Sequence, residues 1–268
     1  MQKNDKPYQR VELKCCRARS QTVFKVSYGF IRAILVCMLA GSWLTVVHAA
    51  EGDVPATLVY FEESEPGVGS YQVRYVLNQT HLRIDDGEQS DGFVLFERET
   101  GTIYSVSHRN RSVLEVPPDK DAVPADILAR EKQLSVRELV DKGEPPPAIG
   151  GKPVSLFSLG TASETCVSYS VAVGLLPDAV GMLKAYRQAL AHNSRRKLIN
   201  QPPEYLTDCM IINDVFAAKR YLGHGFPVMV RKHDGATRIL AGYEISRDVN
   251  AALFQLPPTY RVIGVGLR

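Results

Sequence analysis

The chain lacks the sequence motifs that most often mark a catalytic site. It has no Gly-x-Ser-x-Gly elbow, no phosphate-binding Gly-x-x-x-x-Gly-Lys loop, no His-Glu-x-x-His pair and no Gly-x-Gly-x-x-Gly loop. Acid–base pairs leave no motif, so a hydrolase stays open as an alternative, but no residue is nominated as catalytic. We predict that the protein is not an enzyme.

Metal and cofactor signatures are also missing. The five histidines after Ala49 are dispersed, there is no Cys-x-x-Cys, and the acidic turn at Asp85–Asp86 does not follow the order of an EF-hand loop. We therefore predict neither a metal nor a cofactor.

Outside the N-terminal segment the chain has no excess of positive charge. The chain has 32 Lys and Arg against 29 Asp and Glu, but residues 1–49 hold eight of the basic and only two of the acidic ones. The remainder is left with 24 basic and 27 acidic residues. Because nucleic-acid binding needs a clustered positive surface, this mildly acidic remainder argues against a nucleic-acid partner.

The only long uncharged apolar run, Ala33 to Ala49, follows a basic segment and ends in Val47-His48-Ala49. A basic region, an apolar stretch and small residues before the exit are the parts of a secretory signal. We predict a signal peptide at residues 1–49, cleaved after Ala49, and a periplasmic mature protein. An uncleaved N-terminal membrane anchor is the alternative, and it too places residues 50–268 in the periplasm.

Two cysteines follow the leader, Cys166 and Cys209. In an oxidising compartment an even pair predicts a disulfide bond, which closes a loop of about 43 residues. A thiol nucleophile or a metal site are the alternatives.

Six short strands joined by turns are predicted between Ala56 and Val116. They alternate apolar and polar side chains, and Gly, Pro, Asn and Asp fill the connections. The predicted strands are 56–62, 71–77, 81–85, 93–97, 102–107 and 112–116. Strands joined in order by short turns form an antiparallel meander, with one face on a core or cavity.

The remainder mixes strands and helices. Residues 119–150 form a connector, either across a sheet edge or as an exposed excursion. The later segments predict strands at 154–159 and 165–173, a helical insert at 177–222, a hairpin about His233-Asp234-Gly235 and an edge strand at 260–264. Within the insert, helices are predicted from Pro177 to Ala191 and from Glu204 to about Leu222. The basic run Arg195–Lys197 is interpreted as a solvated helix end, with an anionic partner as the alternative.

Several segments resemble the lipoprotein-carrier (LolA/LolB-like) superfamily. Leu82-Arg83-Ile84-Asp85, the strand at 92–96 and the tyrosine strand at 102–106 are similar to consecutive strands of these proteins, and residues 225–228 and 253–257 are similar to their closing segments. The resemblance implies a single α+β domain at residues 50–268, an antiparallel incomplete β-barrel (a curved sheet) covered by helices.

The leading functional hypothesis is a periplasmic binding protein for a lipid, an acyl chain or an apolar peptide. One face of the meander carries the predicted ligand contacts, which are Tyr71, Val73, Tyr75, Leu82, Ile84, Phe93 and Leu95. The opposing interpretation is that these side chains fill their own core. The second hypothesis is a protein–protein module, an envelope sensor or assembly factor, that uses residues 119–150 or Arg195–Lys197.

Overall fold

Twelve strands of the described residues form one curved sheet, which does not close on itself within that part of the chain. The computed structural model describes residues 52–86, 91–118, 125–138, 146–199, 202 and 205–264. All of them belong to a compact unit of residues 48–268. The predicted leader at residues 1–49 lies outside the described residues, as do residues 119–124 and 139–145 of the predicted connector.

The first six strands form the predicted meander. Their bounds are Asp53–Ser64 (β1), Tyr71–Leu77 (β2), His81–Asp86 (β3), Gly92–Glu97 (β4), Thr102–Ser107 (β5) and Ser112–Val116 (β6). Each pairs antiparallel with the next. Apolar side chains at alternate positions place one set of residues on each face of these strands, which is why the pattern located them in the sequence.

The other six strands extend the sheet at its two sides. They are Ser135–Glu138 (β7), Val154–Gly160 (β8), Thr165–Ala172 (β9), Phe226–Lys232 (β10), Thr237–Asn250 (β11) and Arg261–Gly264 (β12). The order across the sheet is β12-β6-β5-β4-β3-β2-β1-β11-β10-β9-β8-β7. β12 lies parallel to β6, whereas the other neighbouring pairs are antiparallel. The two edges, β7 and β12, leave the sheet unclosed.

Most of the helices lie between β9 and β10. They are Ala125–Glu131 (α1), Pro177–Ile199 (α2), Asp208–Ile211 (α3) and Ala217–His224 (α4). A π-helical segment, Ile212–Phe216, joins α3 to α4, and we call this continuous stretch the 208–224 helix. It begins later than the predicted Glu204 because the hydroxyl of Thr207 accepts a hydrogen bond from the backbone N–H of Met210.

Each face of the sheet has its own apolar cluster. The larger cluster packs α2 and the 208–224 helix against side chains such as Phe61, Tyr169 and Phe226. The smaller cluster lies on the opposite face, under residues 251–260, which we call the C-terminal strap. The strap begins with a 3₁₀ helix, Ala251–Phe254, and its Phe254 is buried in the smaller cluster.

Several predicted boundaries are corrected. α2 continues to Ile199, so the run Arg195–Lys197 lies within the helix and not beyond its end. Within the predicted connector, the described residues include α1 and β7, and β7 forms one edge of the sheet. Among the described residues no helix is both long and apolar enough to cross a membrane.

Candidate functional site

A cavity of about 690 Å³ lies between the sheet and the two long helical stretches. Its walls come from α2, from the 208–224 helix and from the adjoining ends of β1, β10 and β11. This volume falls within the range of about 300–1,000 Å³ that small-molecule sites usually have.

Helical periodicity sets the side walls of the cavity. On α2, Lys184, Arg187, Gln188 and Ala191 recur at the spacing of one helix face. The facing wall contains Asp214, Val215, Ala217, Ala218 and Tyr221, which the π-helical segment and α4 supply. Charged side chains and small or apolar side chains therefore both line the space between the two helices.

The floor of the cavity holds a largely buried ion pair. Glu63 and Arg238 face each other across β1 and β11, and Arg238 Nε donates to Glu63 Oε1 at 2.6 Å. Their side chains are only 15% and 23% exposed. Burial alone lowers the pKa of Arg238, but the neighbouring Tyr75 and Glu63 outweigh it, so the pKa lies above its ordinary value. Arg238 thus stays charged and is neutralised within the floor.

Aromatic rings surround this ion pair. The Arg238 guanidinium lies 5.6 Å from the ring centroids of both Phe61 and Tyr75. Burial raises the pKa of Tyr75, and burial raises the pKa of Tyr186 on α2 to about 12. Both hydroxyls are therefore neutral near pH 7.

A third tyrosine contacts the rim. The Tyr71 hydroxyl donates to Glu65 Oε1 at 3.0 Å, and Glu65 lines the cavity. Burial and this hydrogen bond raise the pKa of Tyr71 to about 12.

A disulfide bond joins one wall of the cavity to the sheet. Cys166 on β9 and Cys209 on α3 are bonded, with Cα atoms 4.9 Å apart, and both are buried. The carboxylate of Glu164 lies within 4.8 Å of both sulfurs, but the sulfurs are bonded to each other and offer no thiolate to a metal. The predicted disulfide therefore lies beside Val167, a residue that lines the cavity.

The structure separates the seven predicted ligand contacts into two groups. Tyr71, Val73, Tyr75, Leu82 and Ile84 belong to the helix-covered cluster, whereas Phe93 and Leu95 belong to the cluster under the C-terminal strap. None of the seven lines the cavity. Two of them touch lining residues, since Tyr71 bonds to Glu65 and Tyr75 packs on Arg238.

The separation follows from strand register. Phe93 pairs with Asp85 and Leu95 with Arg83, so both point away from Ile84. Opposite residues in an antiparallel pair share a face. The β4 residues on the helix-covered face are Val94 and Phe96, opposite Ile84 and Leu82.

The strap-covered face is held by a buried carboxylate. Asp85, 5% exposed, accepts from Arg74 Nη2 at 3.0 Å and from Arg83 Nε at 2.8 Å. Arg83 Nη1 also donates to the carbonyl of Leu253 in the strap at 3.0 Å, and its guanidinium lies 3.8 Å from the Phe93 ring centroid. The segment Leu82–Asp85 therefore anchors the strap through Arg83. The Phe93 ring packs against the same arginine.

The predicted connector is partly used within the fold. Ile127 of α1 is buried with Leu198, Ile211, Val215 and Phe216 of the helical layer. Arg130 and Glu131 form ion pairs with Asp208 and Arg220 at 3.1 and 3.3 Å. This docking leaves α1 less surface for another protein than the sequence alone indicated.

Sequence reasoning missed the residues that form the cavity. They lie between Lys184 and Arg238, apart from Glu63–Glu65 and Val167. The available signal was the set of polar and small residues at helical spacing on α2, but the sequence does not state which two helix faces meet.

Comparison with known proteins finds likeness in structure alone. No protein-family model matches the chain, and no curated protein sequence matches it. Solved structures that match include an uncharacterized conserved protein from Thermus thermophilus, with 7% identity, a TM-score of 0.41, and coverage of 78% of this chain and 90% of that one.

Two further matches are to other bacterial proteins. The complex of MucA and MucB from Pseudomonas aeruginosa matches at 8% identity and a TM-score of 0.39, over 78% of this chain and 58% of that chain. A LolA superfamily protein from Nitrosomonas europaea matches at 6% identity and a TM-score of 0.30, over 77% and 91%. The matches thus include the superfamily that the sequence resembles. All three TM-scores lie below 0.5, so the fold is described from the strands and helices of this chain and not from these matches.

Proposed function

We propose that the protein is an exported, periplasmic binding protein that holds an apolar ligand, a lipid or an acyl chain, in the helix-covered cavity. The observation that carries this proposal is the 690 Å³ space between α2, the 208–224 helix and the sheet. Cavities of this size with apolar walls and a few polar groups are the usual form of small-molecule sites.

The composition of the walls supports an apolar occupant. Val167, Leu190, Val215, Ala218 and Val230 all line the space and present only carbon atoms from their side chains. An aliphatic chain placed against them loses water contact, which contributes about 0.8 kcal/mol for each buried CH₂.

In this proposal, two of the predicted ligand contacts support residues that line the cavity. Tyr71 and Tyr75 hold the rim and floor through Glu65 and Arg238. Substituting either tyrosine therefore alters the site without removing a wall.

Native mass spectrometry and solvent extraction of freshly purified mature protein test the proposal. We expect bound apolar molecules in the preparation, and uptake of one fluorescent fatty acid per chain after extraction. A protein that is empty when purified and that takes up neither lipid nor fatty acid refutes the proposal.

The second candidate function, a protein–protein module, is favoured by the edge strand β12. Val262 and Ile263 are 55% and 39% exposed, and Leu114 beside Ile263 is 39% exposed. An open apolar edge can pair with an extended segment of another protein.

Cross-linking in cells tests this second function. A photoreactive residue at position 262 is expected to capture a defined envelope protein, and the same residue at the exposed position 241 of β11, an interior strand, is not. Capture of nothing at either position counts against a partner at β12.

A further inference from the structure

Charged side chains of the cavity separate into paired and unpaired groups. Five Lys or Arg residues line it, against three Asp or Glu residues. Within this lining, Glu63 and Arg238 form the ion pair of the floor. Glu65 accepts the hydrogen bond from Tyr71, and Asp214, the third lining carboxylate, also has an interaction partner.

The other lining cations have no carboxylate partner among the described residues. These are Lys184 and Arg187 on α2, Lys219 on α4 and Lys232 at the end of β10. Lys184, Lys219 and Lys232 are exposed while still bordering the cavity, so they lie at its mouth. Arg187 is half-buried, one helical turn from Lys184.

This excess of positive charge is local. Residues after Ala49 carry more acidic than basic side chains in total, yet the mouth concentrates cations from three different elements. Cations that border one cavity repel one another, and an anion placed among them relieves that repulsion.

We propose that the ligand is a single-chain amphiphile with an anionic head group, a carboxylate or a phosphate, whose head lies among Lys184, Lys219 and Lys232 at the cavity mouth. This inference rests on the proposed function and specifies its ligand. The aliphatic chain lies against the apolar walls, and Arg187 neutralises the head from the inner side.

The charge of the cavity mouth disfavours two other classes of amphiphile. A neutral amphiphile buries the same chain but leaves the cations uncompensated, and a cationic amphiphile adds to their repulsion. Because the three lysines are exposed, their attraction for an anion is screened by salt.

Four C12 probes with different head groups test the inference. They are dodecanoate, dodecyl phosphate, dodecanol and dodecyltrimethylammonium, each below its aggregation concentration, and affinity is measured by displacement of a fluorescent fatty acid. The test variant is Lys184→Gln/Lys219→Gln/Lys232→Gln. The control, Lys132→Gln/Lys152→Gln/Arg98→Gln, removes the same charge from exposed positions outside the lining.

We expect an anionic probe to bind about tenfold more tightly than dodecanol, as a few partly exposed ion pairs provide. The test variant loses this difference, whereas the control variant keeps it. The tighter of dodecanoate and dodecyl phosphate identifies the head group as carboxylate or phosphate.

Two results overturn the inference in different ways. Equal affinity for all four probes, or an anion preference that survives in the test variant, refutes the anionic head group and leaves the apolar cavity intact. Failure of the protein to take up the fluorescent fatty acid or any C12 probe refutes both the inference and the proposed function.

Discussion

Removing the Cys166–Cys209 bond should lower the free energy of unfolding by about 4 kcal/mol. The bond closes a loop across a sequence separation of 43 residues, and the chain-entropy relation gives this magnitude for a loop of that length. Both cysteines are buried in the main core, so Cys166→Ala/Cys209→Ala removes the cross-link without exposing a polar group.

Urea unfolding of the oxidised protein and the double variant measures the effect. With an m-value of about 2–3 kcal/mol/M, the urea midpoint should fall by roughly 1.3–2 M. Reduced wild-type protein should unfold near the midpoint of the double variant, which controls for the two alanines. A midpoint change below about 0.3 M would refute the assignment of a stabilising cross-link.

The same bond also positions the cavity wall. Cys209 lies at the start of the 208–224 helix, and Val167 follows Cys166 on β9. Amide exchange at residues 208–216 should accelerate in the double variant more than exchange at residues 217–224. Uniform acceleration along the helix would show that the bond acts only on global stability.

Three other predictions concern packing and charge. Asp85→Ala should destabilise the protein by about 3 kcal/mol, because it leaves two arginines without their buried carboxylate, and chemical denaturation measures this. Gly160→Ala should destabilise by at least about 2 kcal/mol, since its Cβ would lie 2.0 Å from the Glu164 carbonyl oxygen, whereas Gly181→Ala on α2 should stabilise by about 1 kcal/mol. The raised pKa of Tyr186 predicts that stability falls between pH 10 and 12, and Tyr186→Phe should reduce that fall.

The sign of the pH effect follows from proton binding. The neutral Tyr186 hydroxyl is favoured in the folded state, so its contribution is complete below pH 10 and is lost as the pH rises towards about 12. Equal loss of stability between pH 10 and 12 in the wild type and in Tyr186→Phe would contradict this role of Tyr186. An Asp85→Ala protein as stable as the wild type would contradict the role of the buried carboxylate. Equal effects of Gly160→Ala and Gly181→Ala would contradict the close contact described at Gly160.

Local sequence patterns were sufficient to locate most strands. Alternation and turn residues placed β2, β5 and β6 at their observed bounds, and the turn at His233-Asp234-Gly235 joins β10 to β11 as predicted. These features depend on neighbouring residues, which is why they can be found in one sequence.

Features that depend on distant segments could not be found in this way. Phe93 and Leu95 alternate correctly within β4, but only the pairing with Asp85 and Arg83 decides which face they take. β12 joins β6 in parallel because the C-terminal strap crosses the sheet, and four residues carry no signal for direction. Likewise, the cavity exists only where α2 meets the 208–224 helix.

Ligand affinity of Ala218→Trp tests the central claim most directly. Ala218 lines the cavity, and Trp43 in the predicted leader is the only tryptophan of the chain, so the new side chain both fills the space and reports on it in the mature protein. Ala241→Trp, on an exposed position of β11 outside the lining, is the matched control. We predict that Ala218→Trp weakens fatty-acid binding about tenfold while Ala241→Trp binds as the wild type does. Unchanged affinity in Ala218→Trp, with its emission showing a buried indole, would contradict the claim that this cavity holds the ligand.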